Sequence, residues 1–122
     1  MNKSPDLLEL LRLVKIFRDD RDWKQFHKLK DLAIGLNIET SELLELFLWK
    51  NDAEIETRLP ETNYYNRVKE ELADVIIYIL MISDQLNVDI DNIVKEKLKK
   101  NALKYPVEKA KGSAKKYDQL PD

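Results

Sequence analysis

The sequence predicts an all-α fold, a four-helix bundle, on three observations. Apolar residues recur at three- and four-residue spacing through four long stretches. Only two glycines and four prolines interrupt 122 residues, few for a strand-rich fold with many tight turns. No alternating apolar and polar run marks a strand. One domain is expected at this length, with the bundle over about 4–105 and a basic extended tail over 106–122.

Each element has its own signal. Ser4-Pro5-Asp6 reads as a helix start: a cap, a proline at the first turn, then an acid at the positive end of the dipole. Leu7, Leu10, Leu11, Val14 and Phe17 follow at helical spacing. Residues 18–27, RDDRDWKQFH, lose that pattern and are expected as a loop. A second helix is predicted from about Lys28 to Lys50, with Leu29, Leu32, Ala33, Leu36, Leu43 and Phe47 inward. Residues 51–63 hold Pro60 and several cap candidates and read as a connection. A third helix spans about Tyr64 to Leu86, with Val68, Leu72, Val75, Ile76 and Ile79 inward. Asn87 to Asp89 break it. A fourth runs from about Ile90 to Leu103 on Ile90, Ile93, Val94 and Leu98, and Pro106 ends it.

Composition excludes several classes. There is no cysteine, so disulfides, thiolate metal sites and a cysteine nucleophile are out; a reducing cytoplasm fits. The longest apolar run, residues 75–82, is far short of the ~20 residues that span a membrane. Charge is uneven. Residues 1–94 carry twelve Lys and Arg against nineteen Asp and Glu, a net −7; residues 95–122 carry nine lysines against four acids, a net +5. An acidic body argues against nucleic acid as a partner, and no recognition-helix or stacking-sheet motif is present. No glycine-rich phosphate loop exists either.

The carboxylates carry the chemistry. Glu39, Glu42 and Glu45 follow one another at three-residue spacing, which stacks them on one side of a helix, and Trp49 extends the same stripe. Glu71 and Asp74 share a face of the next long helix, with Tyr78 one turn on. If the two helices pack side by side, four acids converge. Such a cluster is costly without a cation, and hard oxygen-seeking ions, Mg²⁺ or Mn²⁺, suit it best. His27 is the sole histidine, so a two-histidine zinc site and a di-iron bundle site are excluded within one chain. Acids three apart are also common on solvated helix faces. Asp74 differs in adjoining the apolar run that holds Tyr78, where an acid needs a partner.

On these motifs the chain resembles the MazG-like superfamily of all-α nucleotide pyrophosphohydrolases, closest to its dCTP pyrophosphatase branch. The ExxE and ExxD pairs are Glu39–Glu42 and Glu71–Asp74. RDWKQFH (21–27), ELLELFLWK (42–50), EELADVIIY (70–78), NALKYP (101–106) and KGSAKKY (111–117) match in order and spacing, over roughly residues 5–120. The resemblance implies Mg²⁺-dependent hydrolysis of a nucleoside triphosphate to the monophosphate and pyrophosphate. It implies that Glu39, Glu42, Glu71 and Asp74 hold metal. It sets Trp23, His27, Trp49 and Tyr78 around the nucleotide, and brings Asn101, Lys104, Tyr105, Lys116 and Tyr117 to the phosphates. It also implies a homo-oligomer, dimer or tetramer, that completes the bundle. Glu45 or Glu70 could orient or deprotonate the attacking water. Val14 stands where the dCTP branch usually has a histidine, which counts against a strict cytosine preference. The competing classes are a non-catalytic helical interaction module, in which the acids are scattered and bind no ion, and a nucleotide-binding regulator that keeps the pocket but not the turnover.

Overall fold

The computed structural model describes residues 6–122, which form six α-helices and two 3-10 turns with no strand among them. Helix α1 is Leu7–Asp20, capped by the Asp6 carboxylate accepting the Glu9 N–H at 2.8 Å. The expected cap at Ser4 and Pro5 lies outside the described residues. The helix continues three residues into the predicted loop, because the core stripe of α1 does not end at Phe17. Phe17 is exposed, and Arg18 takes the next inward position at 3% exposure. A 3-10 turn, Lys24–Phe26, follows.

Helix α2, Leu29–Glu45, stops five residues before the predicted Lys50. The Tyr64 hydroxyl donates to the Leu46 carbonyl at 2.6 Å, a bond buried between the two segments. A continuing helix would need that carbonyl for the Lys50 N–H. Instead the last turn tightens, Phe47 N–H bonding the Leu44 carbonyl at 2.9 Å, and Trp49 enters the left-handed region at φ 63°. Helix α3, Asp52–Arg58, occupies the predicted connection. It needs little hydrophobic periodicity because Asn51 caps the Glu54 N–H at 2.9 Å and acids fill its first turn. Helix α4, Thr62–Leu86, ends at Asn87 in the left-handed conformation that closes helices. Helix α5 is Ile90–Lys104, capped by Asp89. A short α6, Val107–Ala110, and a 3-10 turn, Tyr117–Gln119, give the predicted extended tail local order.

The described residues form two compact units, dividing between Asn87 and Val88. In the first, α2 packs along α4 and α1 crosses α4. Leu32, Leu46, Tyr64, Leu80 and Met81 are buried. Val68, Val75 and Ile79 on α4, with Leu36 and Leu43 on α2, are half-buried as their spacing predicts. Leu29, Ala33, Leu72 and Ile76 are exposed instead. The two long helices are apolar on more than one side, so packing against each other leaves Ile34 and Ile38 of α2, and Leu72 and Ile76 of α4, in solvent. In the second unit the predicted inward residues Ile93, Val94 and Leu98 are exposed. A unit of some 35 residues has too little chain to bury a helix face by itself.

Candidate active site

The packing of α2 on α4 determines which acids meet. Gly35 lies one turn before Glu39, and Tyr78 lies one turn after Asp74. The Tyr78 ring rests on the backbone of α2 at Gly35, where an added Cβ would stand 2.3 Å from Cε1 and 2.6 Å from Cζ. The missing side chain thus lets the ring approach the backbone of α2, one turn from Glu39. One carboxylate oxygen from each of Glu39, Glu42 and Glu71 falls within 4.8 Å of the others. Asp74 is half-buried on the next turn of α4, and its charge reaches both Glu39 and Glu71.

The electrostatics follow from the crowding. Burial first, then the Glu42 carboxylate, push Glu39 up to about 7; Asp74 and Glu71 add to the rise. Glu71 is raised in the same way, by burial and then by Glu42. Glu39 Oε2 and Glu71 Oε2 are buried with no hydrogen-bond partner. A buried carboxylate oxygen without a donor is costly. A divalent cation would satisfy both oxygens and relieve the repulsion. Three converging carboxylates form the hard, all-oxygen donor set that Mg²⁺ or Mn²⁺ takes, so these residues fit such an ion.

The other predicted residues have varied settings. Glu45 is exposed at the C-terminus of α2, one turn beyond Glu42 and outside the three-acid cluster; Glu70 is exposed on α4. Trp49 requires a correction. It does not continue the acid stripe, because α2 has already ended and the chain has reversed its backbone hand; its side chain is 97% exposed. Trp23 opens the turn after α1 and meets Phe17 edge-on, ring centroids 5.7 Å apart. His27 is half-buried with Nδ1 unpaired, and burial together with the Arg18 charge lowers its pKa, so the imidazole is neutral at pH 7.

In the second unit, Tyr105 and Tyr117 meet edge-on at 6.2 Å, and the Lys104 ammonium lies 5.0 Å from the Tyr117 ring centre. Asn101 is half-buried, its carbonyl accepting the Tyr105 N–H at 2.8 Å, and Lys116 is exposed at the start of the last turn. The KYP and KKY segments, eleven residues apart, are therefore folded onto one another.

Two features lie outside the residues predicted above, and only one of them carries a signal in the sequence. Gly35 has no signal in one sequence, since a helical glycine has no unusual spacing. Arg18 and Asp84 do have one: each continues an apolar stripe at helical spacing, after Leu11 and Val14 on α1 and after Ile77, Leu80 and Met81 on α4. Charged residues at inward positions on two helices announce a buried pair.

The MazG-like family profile matches residues 34–120, which include all four acids and the KYP and KKY segments. The chain is 39% identical over 118 residues to dCTP pyrophosphatase 1 of Rattus norvegicus, covering 97% of this chain and 69% of that one. It is 37% identical over 118 residues to dCTP pyrophosphatase 1 of Homo sapiens, with the same coverage. Its fold is similar to the crystal structure of a pyrophosphatase from Archaeoglobus fulgidus, with a TM-score of 0.75 and 38% identity over 87% of this chain and 97% of that one. A profile match over most of the chain, and relatives of this identity aligned along nearly all of it, agree with the paired acids on α2 and α4: the chain belongs to the MazG-like family, on its dCTP pyrophosphatase-like side.

Proposed function

We propose that the chain is a Mg²⁺-dependent nucleoside triphosphate pyrophosphohydrolase that releases the monophosphate and pyrophosphate, acts on dCTP and other deoxynucleotides, and serves in clearing the nucleotide pool. That it is an enzyme of the nucleoside triphosphate pyrophosphatase class accords with its family and its relatives. The single observation that carries the metal-dependent reading is the convergence of Glu39, Glu42 and Glu71 with two buried, unpartnered carboxylate oxygens. A non-catalytic helical module has no reason to accept that electrostatic cost.

In this reading Glu39, Glu42, Glu71 and Asp74 hold the ion. When bound, the ion supplies charge for the triphosphate and acidifies a coordinated water. This chain's residues position the rest. Tyr78, fixed against Gly35, borders the acids, while Trp23 and the exposed Trp49 offer faces for a base, a contact tolerant of base identity. His27, neutral, can donate one hydrogen bond and accept another. Lys104, Tyr105 and Tyr117, with Asn101 and Lys116, bring positive charge and hydroxyls suited to phosphate. Glu45 or Glu70, both exposed and outside the three-acid cluster, is left to orient or deprotonate the water. We also read the exposed face of Ile34, Ile38, Leu72 and Ile76 as covered by a second copy, giving a homo-oligomer.

Val14 on α1 offers no hydrogen bond, so a pocket relying on stacking should discriminate bases weakly. The test is pyrophosphate release from the four deoxynucleoside triphosphates, with Mg²⁺ and with chelator. Turnover of dCTP and at least one other base at comparable kcat/KM, lost with chelator, is expected. Chelator-insensitive turnover, or none, overturns the reading; a dCTP preference above about a hundredfold, roughly 2.7 kcal/mol, overturns the base breadth alone.

A further inference from the structure

Arg18 is the one buried charged side chain among the described residues, and nothing above gives it a role in the reaction. Its Nε donates to Asp19 at 2.8 Å, and its Nη1 donates to Asp84 at 2.7 Å. The Lys15 ammonium stands 3.5 Å from the other Asp84 oxygen. Asp84 lies in the last turn of α4, so the pair fastens the end of α1 to the end of α4. An apolar pair of similar volume would fasten them as firmly, since desolvation offsets much of a buried ion pair. What the guanidinium fork adds is direction, because two charge-assisted bonds fix its plane.

The backbone of the same residue controls the next segment. The Arg18 carbonyl accepts the N–H of Arg21 at 3.2 Å and of Trp23 at 3.1 Å. The second bond closes a turn through Asp22, left-handed at φ 55°, and sets where Trp23 starts. From there the bonds continue: Phe26 N–H to the Trp23 carbonyl at 2.9 Å, then His27 N–H to the Lys24 carbonyl at 3.1 Å. The Arg18 charge is also felt at His27. Hydrogen bonds and the backbone between them thus link Asp84 on α4 to the main chain of Trp23 and His27.

We propose that Arg18 and Asp84 are positioning residues for the nucleotide wall: their ion pair fixes the end of α1 on α4, and the turn it anchors presents Trp23 and His27 to the base. The inference rests on the assignment of Trp23 and His27 to the nucleotide and adds what aims them. It requires that loosening the pair weaken substrate binding while the metal chemistry on α2 and α4 stays intact.

The experiment uses the full chain with Mg²⁺ and dCTP. Arg18→Met should raise KM about tenfold and leave kcat within about twofold. Arg18→Lys, which keeps the charge opposite Asp84 but loses the fork, should fall between it and the wild type. Because Arg18→Met strands Asp84, the double variant R18M/D84L serves as the folded control: it leaves only the exposed Lys15 and Asp19 without these partners, and no buried charge unpaired. It should melt as a cooperative helical protein and still show the raised KM. In ¹⁵N spectra the Trp23 indole signal should move in both variants, while that of the exposed Trp49 stays in place. Trp23→Ala and His27→Ala are measured alongside. If these two raise KM but the folded double variant has wild-type KM and an unmoved Trp23 signal, the positioning role is overturned and the wall stands. If Trp23→Ala and His27→Ala leave KM unchanged, it is the wall assignment that fails.

Discussion

At the scale of single residues, the proposed metal site would trade stability for ion binding, a trade that can be measured at Glu39. Its folded pKa of about 7 lies above the ordinary glutamate value of 4.5. Between those two pH values the folded chain keeps a proton that the unfolded chain releases. Stability from this group is therefore fully present below about 4.5 and is lost as pH rises through about 7. His27 opposes it in part of that window: its lowered pKa contributes stability above 6.5 that is lost on acidification. The clean measurement is a difference. Without metal, Glu39→Gln should melt above the wild type at pH 7.5, and the gap should narrow at pH 5.5 and close only below about 4.5, the His27 contribution cancelling. Saturating Mg²⁺ should raise the wild-type Tm at pH 7.5 and lose its effect toward pH 5.5, as protons displace the ion. Parallel Tm values at both pH values would mean that the acids do not crowd one another. Catalysis gives the complementary result. If the proposed metal assignment holds, Glu42→Gln or Asp74→Asn should lower turnover by at least about a hundredfold with helicity retained, since each would remove a metal oxygen worth several kcal/mol in the transition state. Retained Mg²⁺-dependent activity in both would sink the metal assignment.

At the scale of elements, the sequence yielded the long helices and missed what ends or separates them. Hydrophobic spacing predicts α1, α2, α4 and α5, and the Asn87 break falls where expected, because those signals are local. The end of α2 is not local: it depends on Tyr64, eighteen residues on, taking the Leu46 carbonyl. Trp49 was misplaced for that reason, its helical phase with the acids having no meaning once the helix has stopped. Helix α3 was missed because capping, rather than an apolar stripe, makes it. The acid pairs were legible since period and chemistry coincide in them. The spacing of α2 from α4 was not, as it depends on Gly35 meeting Tyr78 across the interface. Gly35→Ala tests that contact. The new methyl would meet the free end of the ring, which can swing away, and α2 gains up to about 1 kcal/mol of helix propensity. Tm should then stay within about 5 °C of wild type while KM for dCTP rises about fivefold, because the ring beside the acids has moved. An unchanged KM would separate Tyr78 from the nucleotide.

At the scale of the whole molecule, the exposed apolar surface is the feature that bears on association. The described residues bury few large side chains, yet α2 and α4 together expose Ile34, Ile38, Leu72 and Ile76. Packing against each other satisfies one side of these helices and leaves a second side apolar. In the proposed homo-oligomer a second copy of this chain would cover these residues, supplying the matching face by symmetry. That reading makes stability depend on association: Tm should rise with protein concentration, because the oligomer binds the folded chain and not the unfolded one. Ile34→Glu distinguishes the cases. Glutamate is a good helix former, and at a position half exposed on an isolated chain it should change stability by no more than about 0.5 kcal/mol. In an oligomer it would bury an unpaired charge at the interface, so the substitution should dissociate the assembly in light scattering, abolish the concentration dependence of Tm and lower Tm itself. A wild-type protein that scatters as a monomer, with a Tm independent of concentration and untouched by Ile34→Glu, would leave the face to solvent and remove the oligomer from the account.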